Sequence, residues 1–376
     1  MSDSLASNQP AASTTSRRSR AIVYCEAHLG LIDGKTANGL VRHSERYEIL
    51  SVIDSTKTGR DAGDVLDGAP NGIPCHRDLA AAISESGSGA DLLIVGVAPT
   101  SGLLSTAERT VLLDAMSRGL GIVNGLHEFL NDDPEFAAAA VIHDVEILDV
   151  RRPKAKVDLH MYDASILGVS CPRIAVLGTD GAIGKRTTAT ILTRALNAVG
   201  VKAVLVGTGQ TSLIQGARHG VALDAVPAQF VTGELEAAIV GAAESERPDV
   251  IIVEGQGALS HPTYLSSTAV LRGSRPAAVI LQHAPARRTI SDYPEFPMPT
   301  PSSEINLIET FADTKVIGLT INHEGMTDSE VSAAITLYEL ELGIPATDAL
   351  TRPTDRLIEM VFAAFPDLLE SSIAAR

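Results

Sequence analysis

The sequence predicts an α/β fold in two domains, each built on a parallel sheet. From residue 21 onward, short Val/Ile-rich runs alternate with longer stretches of helical period. After Val150 the alternation stops in a polar, basic, Pro-containing stretch, R-R-P-K-A-K, and then begins afresh. A length of 376 residues suits two domains, at roughly 100–200 residues each.

Residues 1–20 are rich in Ser, Ala and Thr, end in R-R-S-R and lack the apolar centre of a secretory signal. They are read as the disordered tail of a cytoplasmic protein. Strands are expected at residues 21–25, 49–53, 92–97, 121–124 and 145–150, each short, apolar and bounded by Gly, Asp or Pro. Helices are expected between them at 35–43, 77–84, 106–118 and 134–143. This βαβα order implies a doubly wound, Rossmann-like sheet over residues 21–150. Residues 151–170 read as a linker. The second series, within 171–376, runs strand 173–177, a Gly-rich loop, helix 186–199, strand 203–206, helix 233–243 and strand 250–253. Strands 278–281 and 316–321 and helices 328–342 and 355–365 complete it.

Thirty basic residues against 46 acidic give a net charge of −16. Nonspecific nucleic-acid or anionic-membrane binding needs a basic surface, so neither partner is expected. Aromatics make up 3% and Trp is absent, which also disfavours a stacking platform for single strands. No apolar run approaches the length of a membrane span. Cys25, Cys75 and Cys171 are widely spaced beside apolar runs and form no C-x-x-C pair. They read as buried small hydrophobes, and no metal site is assigned. Small-molecule substrates and a homo-oligomeric assembly are expected.

The most informative segment is G-T-D-G-A-I-G-K-R-T-T, from Gly178 to Thr188. It follows an apolar strand and opens a helix, the context of a phosphate-binding P-loop. Glycines allow backbone N–H groups to turn around an anion, the helix N-terminus adds partial positive charge, and Lys185 adds a full one. Thr179, Asp180, Gly181, Gly184, Lys185, Arg186, Thr187 and Thr188 are the candidate cofactor-binding residues. The second domain is thus expected to be P-loop NTPase-like. Two departures weaken a metal-dependent NTPase reading. The first Gly stands one residue early, and Arg186 occupies the position of the Mg²⁺-holding Ser or Thr.

Glu254 ends the next apolar strand and opens E-G-Q-G-A-L-S-H-P, which carries His261. A carboxylate at the carboxyl end of a parallel strand lies where open sheets bind ligands, and the following glycines suit close approach of substrate. Gln282-His283 with Arg287 and Arg288, then Asn322-His323-Glu324, follow two further strands. The first domain has Lys35, Arg42-His43, Asp54 and Gly125-Leu126-His127 at strand or helix ends, without G-x-G-x-x-G after its first strand.

The P-loop spacing, Glu254-Gly255-x-Gly257 and Asn322-His323 resemble the dethiobiotin synthetase type of P-loop fold, over the C-terminal half. A closer resemblance runs through nearly the whole chain after the tail. It rests on K-T-A-x-G-L-V-R from Lys35, Gly96 to Pro99, Asn124 to His127, Gly178 to Thr188, Glu254 to Pro262 and Gln282 to Arg287. It is to a family, long described as of unknown function, that includes D-glutamate N-acetyltransferases. The resemblance implies transfer of acetyl from acetyl-CoA, as co-substrate, to the amine of D-glutamate in a catabolic route. It also makes the departure from the standard loop a family trait. Acyl transfer needs a base for the ammonium, for which His261 and Glu254 are the candidates. The substrate carboxylates need cations, for which Arg287 and then Arg288 are the candidates, with His283 and Asn322 beside them. His261, as a strand-end loop residue, is expected to carry little packing. The alternatives are an ATP/Mg²⁺-dependent ligase or kinase of the dethiobiotin synthetase type, or a non-catalytic nucleotide sensor.

Overall fold

The computed structural model of the chain describes residues 18–85, 89–99, 101–291 and 293–374. The tail expected over 1–20 lies outside these residues up to position 17. Ser19 and Arg20 are not part of it: they open β1 and pair with Tyr47 and Glu48.

The first domain runs β1 (Ser19–Tyr24), α1 (Lys35–Arg42), β2 (Tyr47–Ile53), α2 (Ala62–Asp67), β3 (Cys75–His76), α3 (Leu79–Glu85), β4 (Leu92–Val95), α4 (Thr106–Ser117), β5 (Gly121–Asn124), α5 (Pro134–His143) and β6 (Ile147–Asp149). The strands pair in the order β3-β2-β1-β4-β5-β6, all parallel. That is the doubly wound Rossmann-like order, with its switch point between β1 and β4. Local chemistry fixes the helix starts. Ser105 and Glu108 close a capping box on α4, and Asp133 caps α5 with Pro134 at its first turn.

The second domain runs β7 (Arg173–Gly178), α6 (Lys185–Ala198), β8 (Ala203–Gly207), α7 (Gln210–Gln215), β9 (His219–Gly220), α8 (Val231–Glu246), β10 (Val250–Glu254), α9 (Ser266–Ser274), β11 (Ala278–His283), β12 (Thr289–Ile290), β13 (Tyr293–Pro297), α10 (Pro301–Phe311), β14 (Lys315–Ile321), α11 (Asp328–Leu342), β15 (Ala346–Thr347), α12 (Asp355–Ala364) and α13 (Pro366–Ala374). Its sheet is β15-β14-β11-β7-β10-β8-β9, again all parallel. Every residue of β10 and β11 is buried, as strands covered on both faces require. The two-residue period separates two cores. Ala175, Leu177, Ile251 and Val253 face one layer of helices, while Ile174, Val176, Val250 and Ile252 face the other. Cys25 and Cys75 are buried, as expected of small apolar side chains, and burial pushes both thiols upward.

Several of the elements absent from the sequence reading are short. β3, β9 and β15 have two residues each, and α2 and α7 have six. α9, α10, α13 and the β12–β13 hairpin were also unforeseen. No helix among the described residues is long and apolar enough to cross a membrane.

Two contact zones join the domains. Ile214 of α7 inserts into the core of the first domain, and Gln215 Nε2 donates to the carbonyls of Gly39 and His43, both at 2.7 Å. Arg151, at the start of the expected linker, is buried rather than solvated. It donates to Asp224 at 2.8 Å through Nη2 and to the Gly125 carbonyl through Nη1. The later part of that segment packs on α8. Glu236, itself buried, accepts from the amides of Asp163 and Ile166 at 3.0 and 3.1 Å. Glu236→Ala strands the buried Ile166 amide, a loss of about 1–3 kcal/mol. A lower denaturant midpoint for the variant checks this, and an unchanged midpoint would contradict it.

Candidate functional site

The site begins where β7 ends. Gly178 terminates the strand, and the loop passes through Ala182 at φ 49° and Gly184 at φ 103°, both left-handed. Gly184 tolerates this without a Cβ penalty and serves as the N-cap of α6. It offers no side chain, and α6 has no side-chain cap. The first amides of this helix therefore point out of its end with the positive pole of the dipole behind them.

The loop is held from several strand tips. Asp180 is fully buried. Its Oδ1 accepts from Gly181 N at 2.7 Å; its Oδ2 accepts from Arg287 Nη1 and from Ser291 N, both at 3.0 Å. Arg287 also donates to the carbonyls of Gly181 and Ala182 and pairs with Glu324 at 2.8 Å. Asn322 Nδ2 donates to the Ile183 carbonyl at 3.1 Å. His283 is buried beneath the loop with Nδ1 at 2.8 Å from Thr179 Oγ1. Desolvation pushes its pKa down to about 4, so the ring is neutral. Gln282 Oε1 accepts from Thr188 Oγ1 at 2.6 Å and from Thr320.

These placements revise the expected substrate clamp. Arg287, His283 and Asn322 converge with the loop, but their polar groups hold the loop itself. Arg288 is exposed at the start of the hairpin and joins none of these contacts.

Lys185 is buried, and its Nζ donates to the Asp180 carbonyl. Burial pulls its pKa down to about 8, opposed by Asp180 and Glu254. That bond uses one of the three N–H donors of the ammonium. Arg186 turns the other way, across the domain boundary: a Cβ on Gly39 of α1 would collide with its guanidinium. Its Nη1 is buried with no partner among the described residues. Burial lowers its pKa to about 10, with Glu254 opposing and Arg42 reinforcing the shift. Thr187, half-buried, is the third residue of α6.

Glu254 is buried at the tip of β10. Its Oε2 accepts from Thr208 N at 2.8 Å and Ser212 Oγ at 2.6 Å. Desolvation raises its pKa, and these bonds and Arg186 partly offset the rise. The glycines that follow make room for the protein itself. A Cβ on Gly255 would strike the Val176 carbonyl, and one on Gly257 the Tyr264 ring.

His261 is not a lightly packed loop residue. Its side chain has no exposed surface, and its ring lies 4.4 Å from Tyr264 and 5.9 Å from Tyr293, centre to centre. Nδ1 accepts from Thr263 N at 3.2 Å. The neutral ring therefore carries its proton on Nε2, which lies 3.9 Å from Asp180 Oδ1. That tautomer donates rather than accepts.

Sequence reasoning missed Thr208, Ser212, Glu304 and Tyr264. The run G-T-G-Q-T-S after β8 carries the same signal as the loops singled out, a Gly-rich polar turn after an apolar strand. Glu304 gave none, because an acid in the first turn of a helix looks like a dipole partner. It is buried and accepts from Ser260 Oγ at 2.6 Å, which holds the loop before His261.

His261→Ala empties a packed site between two tyrosines, so a destabilisation of roughly 1–3 kcal/mol is expected. Chemical denaturation measures it, and wild-type stability would refute the packing role.

Comparison with known proteins agrees with this architecture. A family model described as the DUF1611_C P-loop domain, a domain of unknown function, matches residues 160–358. One described as the DUF1611_N Rossmann-like domain matches residues 55–153. The chain is 31% identical over 288 residues to a D-glutamate N-acetyltransferase of Tritonibacter scottomollicae, covering 73% of this chain and 82% of that one. It is 29% identical over 282 residues to a D-glutamate N-acetyltransferase of a Pseudoalteromonas species, covering 72% and 81%. The crystal structure of a DUF1611 family protein from Anabaena variabilis superposes with a TM-score of 0.85 at 29% identity, covering 92% of this chain and all of that one. The chain belongs to the DUF1611 family, with its Rossmann-like N-terminal and P-loop C-terminal domains.

Proposed function

We propose that the protein transfers an acetyl group from acetyl-CoA to the amine of D-glutamate. The observation that carries the reading is the phosphate-loop helix. It starts on a left-handed glycine with no side-chain cap, and Lys185 and Arg186 follow in place of lysine and a metal-holding hydroxyl. This suits a cofactor held by its phosphates and not hydrolysed. Relatives named for this activity support the acyl group and the acceptor.

The residues present fit a diphosphate. The uncapped amides of α6 and the Lys185 ammonium supply donors and charge for it. Acetyl-CoA, when bound, supplies an activated acetyl group. The remaining work belongs to the chain. Glu254 takes the proton from the acceptor ammonium: burial raises its affinity for that proton, and Thr208 and Ser212 fix the carboxylate from one side. His261, with its proton on Nε2, serves as a donor to the oxygen that gains charge during transfer.

Purified protein incubated with D-glutamate and acetyl-CoA is expected to release free thiol without ATP or Mg²⁺. Dependence on ATP and Mg²⁺ would point instead to a ligase or kinase, and no turnover in either mixture to a nucleotide sensor. Lys185→Ala is expected to raise the KM for acetyl-CoA at least tenfold; an unchanged KM would remove the loop assignment.

The Lys185 shift has a sign. Its pKa is depressed to about 8 in the free protein, and a bound polyanion favours the charged form and raises it. Binding near pH 8 should therefore take up protons, and affinity should fall as pH rises above 8. Calorimetry in two buffers of different ionisation enthalpy reads the uptake, which Lys185→Met should abolish. Equal uptake by the variant would assign it to another group.

A further inference from the structure

Arg186 is the second residue of α6, yet its head leaves the phosphate loop and lies on the first domain. A Cβ on Gly39 of α1 would strike its Nη1 and fall 2.7 Å from both Cζ and Nη2. Glycine inside a helix is unfavourable for the helix itself; here the missing side chain makes room for the guanidinium. Nη1 is buried with no hydrogen-bond partner among the described residues. A buried donor on a charged group is costly to leave unmade. The other arginines of this boundary are spent: Arg42 pairs with Asp67 at 2.7 Å, and Arg151 with Asp224 at 2.8 Å.

We propose that Arg186 binds the α-carboxylate of the acidic acceptor at the domain boundary, with Gly39 of the first domain positioning its guanidinium. The inference rests on the reading of the protein as an acetyltransferase acting on D-glutamate.

The place comes from a run of contacts that joins Arg186 to Glu254, the group that takes the acceptor's proton. Ser212 Oγ donates to Glu254 Oε2 at 2.6 Å. Three residues further along α7, Gln215 Nε2 donates to the Gly39 carbonyl at 2.7 Å, and Gly39 carries the guanidinium. Residues three apart on a helix are neighbours, about 5–6 Å between Cβ atoms. Glu254 and Arg186 thus flank a single turn of α7. Burial shifts the pKa of each, and the charge of the other opposes the shift. No ion pair joins them among the described residues, so Nη1 is left for a third group. In an α-amino acid the ammonium and the carboxylate share one carbon. A base for the first and a cation for the second must therefore be close neighbours.

The chemistry comes from the donor. A planar guanidinium presents paired N–H groups that match the two oxygens of a carboxylate. Lys185 stays with the loop, where its Nζ donates to the Asp180 carbonyl. Arg287 is committed to Asp180, Glu324 and two loop carbonyls. Gly39 gives the first domain a lever on the site. A methyl group there meets the far end of a flexible side chain, so it displaces the guanidinium and leaves the backbone in place.

The test compares wild type with Arg186→Met, Arg186→Lys and Gly39→Ala in the full chain. D-glutamate is titrated by calorimetry with and without coenzyme A, and KM is measured for both substrates. Arg186→Met should weaken D-glutamate binding and raise its KM at least tenfold, as loss of hydrogen bonds to a charged group does. The KM for acetyl-CoA should stay within twofold. Arg186→Lys should recover part of the loss. Gly39→Ala should weaken D-glutamate binding without lowering the melting midpoint, which a merely structural defect would lower.

If wild type turns over and Arg186→Met matches it for D-glutamate, the assignment is overturned while the activity stands. A rise confined to the KM for acetyl-CoA also overturns it and gives the guanidinium to a phosphate. If Arg186→Met does not fold, Gly39→Ala decides: weaker D-glutamate binding supports the assignment, unchanged binding overturns it. Loss of binding in Arg186→Met alone upholds the carboxylate contact and overturns the positioning by Gly39. If wild type binds D-glutamate without turnover, the acetyltransferase reading fails and the titrations alone decide Arg186. If wild type binds no D-glutamate in either condition, both are overturned.

Discussion

The site depends on one buried carboxylate. Asp180 has no exposed surface, and an ion so placed must be paired and hydrogen-bonded to remain charged. Arg287, the Ser291 amide and the Gly181 amide meet that demand. In doing so they fix the loop between β7 and α6 against the tip of β11 and the hairpin beyond it. The left-handed turn at Gly184 and the open end of α6 persist because this network holds the chain there. The same carboxylate tempers the burial of Lys185. A cationic loop thus carries its own internal counter-charge, which an incoming polyanion must outcompete.

The second constraint lies between the domains. Glu254 and Arg186 sit on adjacent tips of the P-loop sheet, yet each is completed by the region where the first domain docks. Thr208 and Ser212, which grip Glu254, frame the start of α7, and α7 places Ile214 in the first domain's core. Arg186 lies on Gly39 of α1. The Rossmann-like domain therefore packs against the residues that complete these two groups. Asp54, past β2 where a ribose-binding acid would stand, is spent on the Leu29 amide and Thr56.

Much of this was legible along the chain. Continuous apolar runs bounded by Gly, Asp or Pro identify β5 and β10 to within a residue, because a strand covered on both faces needs no polar alternation. The Gly/Lys loop was legible because its chemistry is local, needing a strand, a turn and a helix start in succession. The roles of His261, Arg287 and Asn322 were not. Each follows an apolar strand and looked exposed to substrate; Arg287 and Asn322 instead hold the loop, and His261 is packed between two tyrosines. The partners of Arg287 and Asn322 lie tens to more than a hundred residues away, as with Arg287 and Asp180.

The sequence by itself therefore determined two parallel α/β sheets, a phosphate loop lacking the metal-holding hydroxyl, and a strand-end carboxylate at Glu254. Periodicity and turn chemistry are properties of neighbours in the chain, and they can be read without a fold. Only the tertiary structure decided which strand-end groups remain available. It buried His261 with its donor proton on Nε2, committed Arg287 to Asp180, and brought Arg186 of one domain against Gly39 of the other. Burial and charge pairing are set by whatever arrives from distant segments, and no local pattern records that arrival.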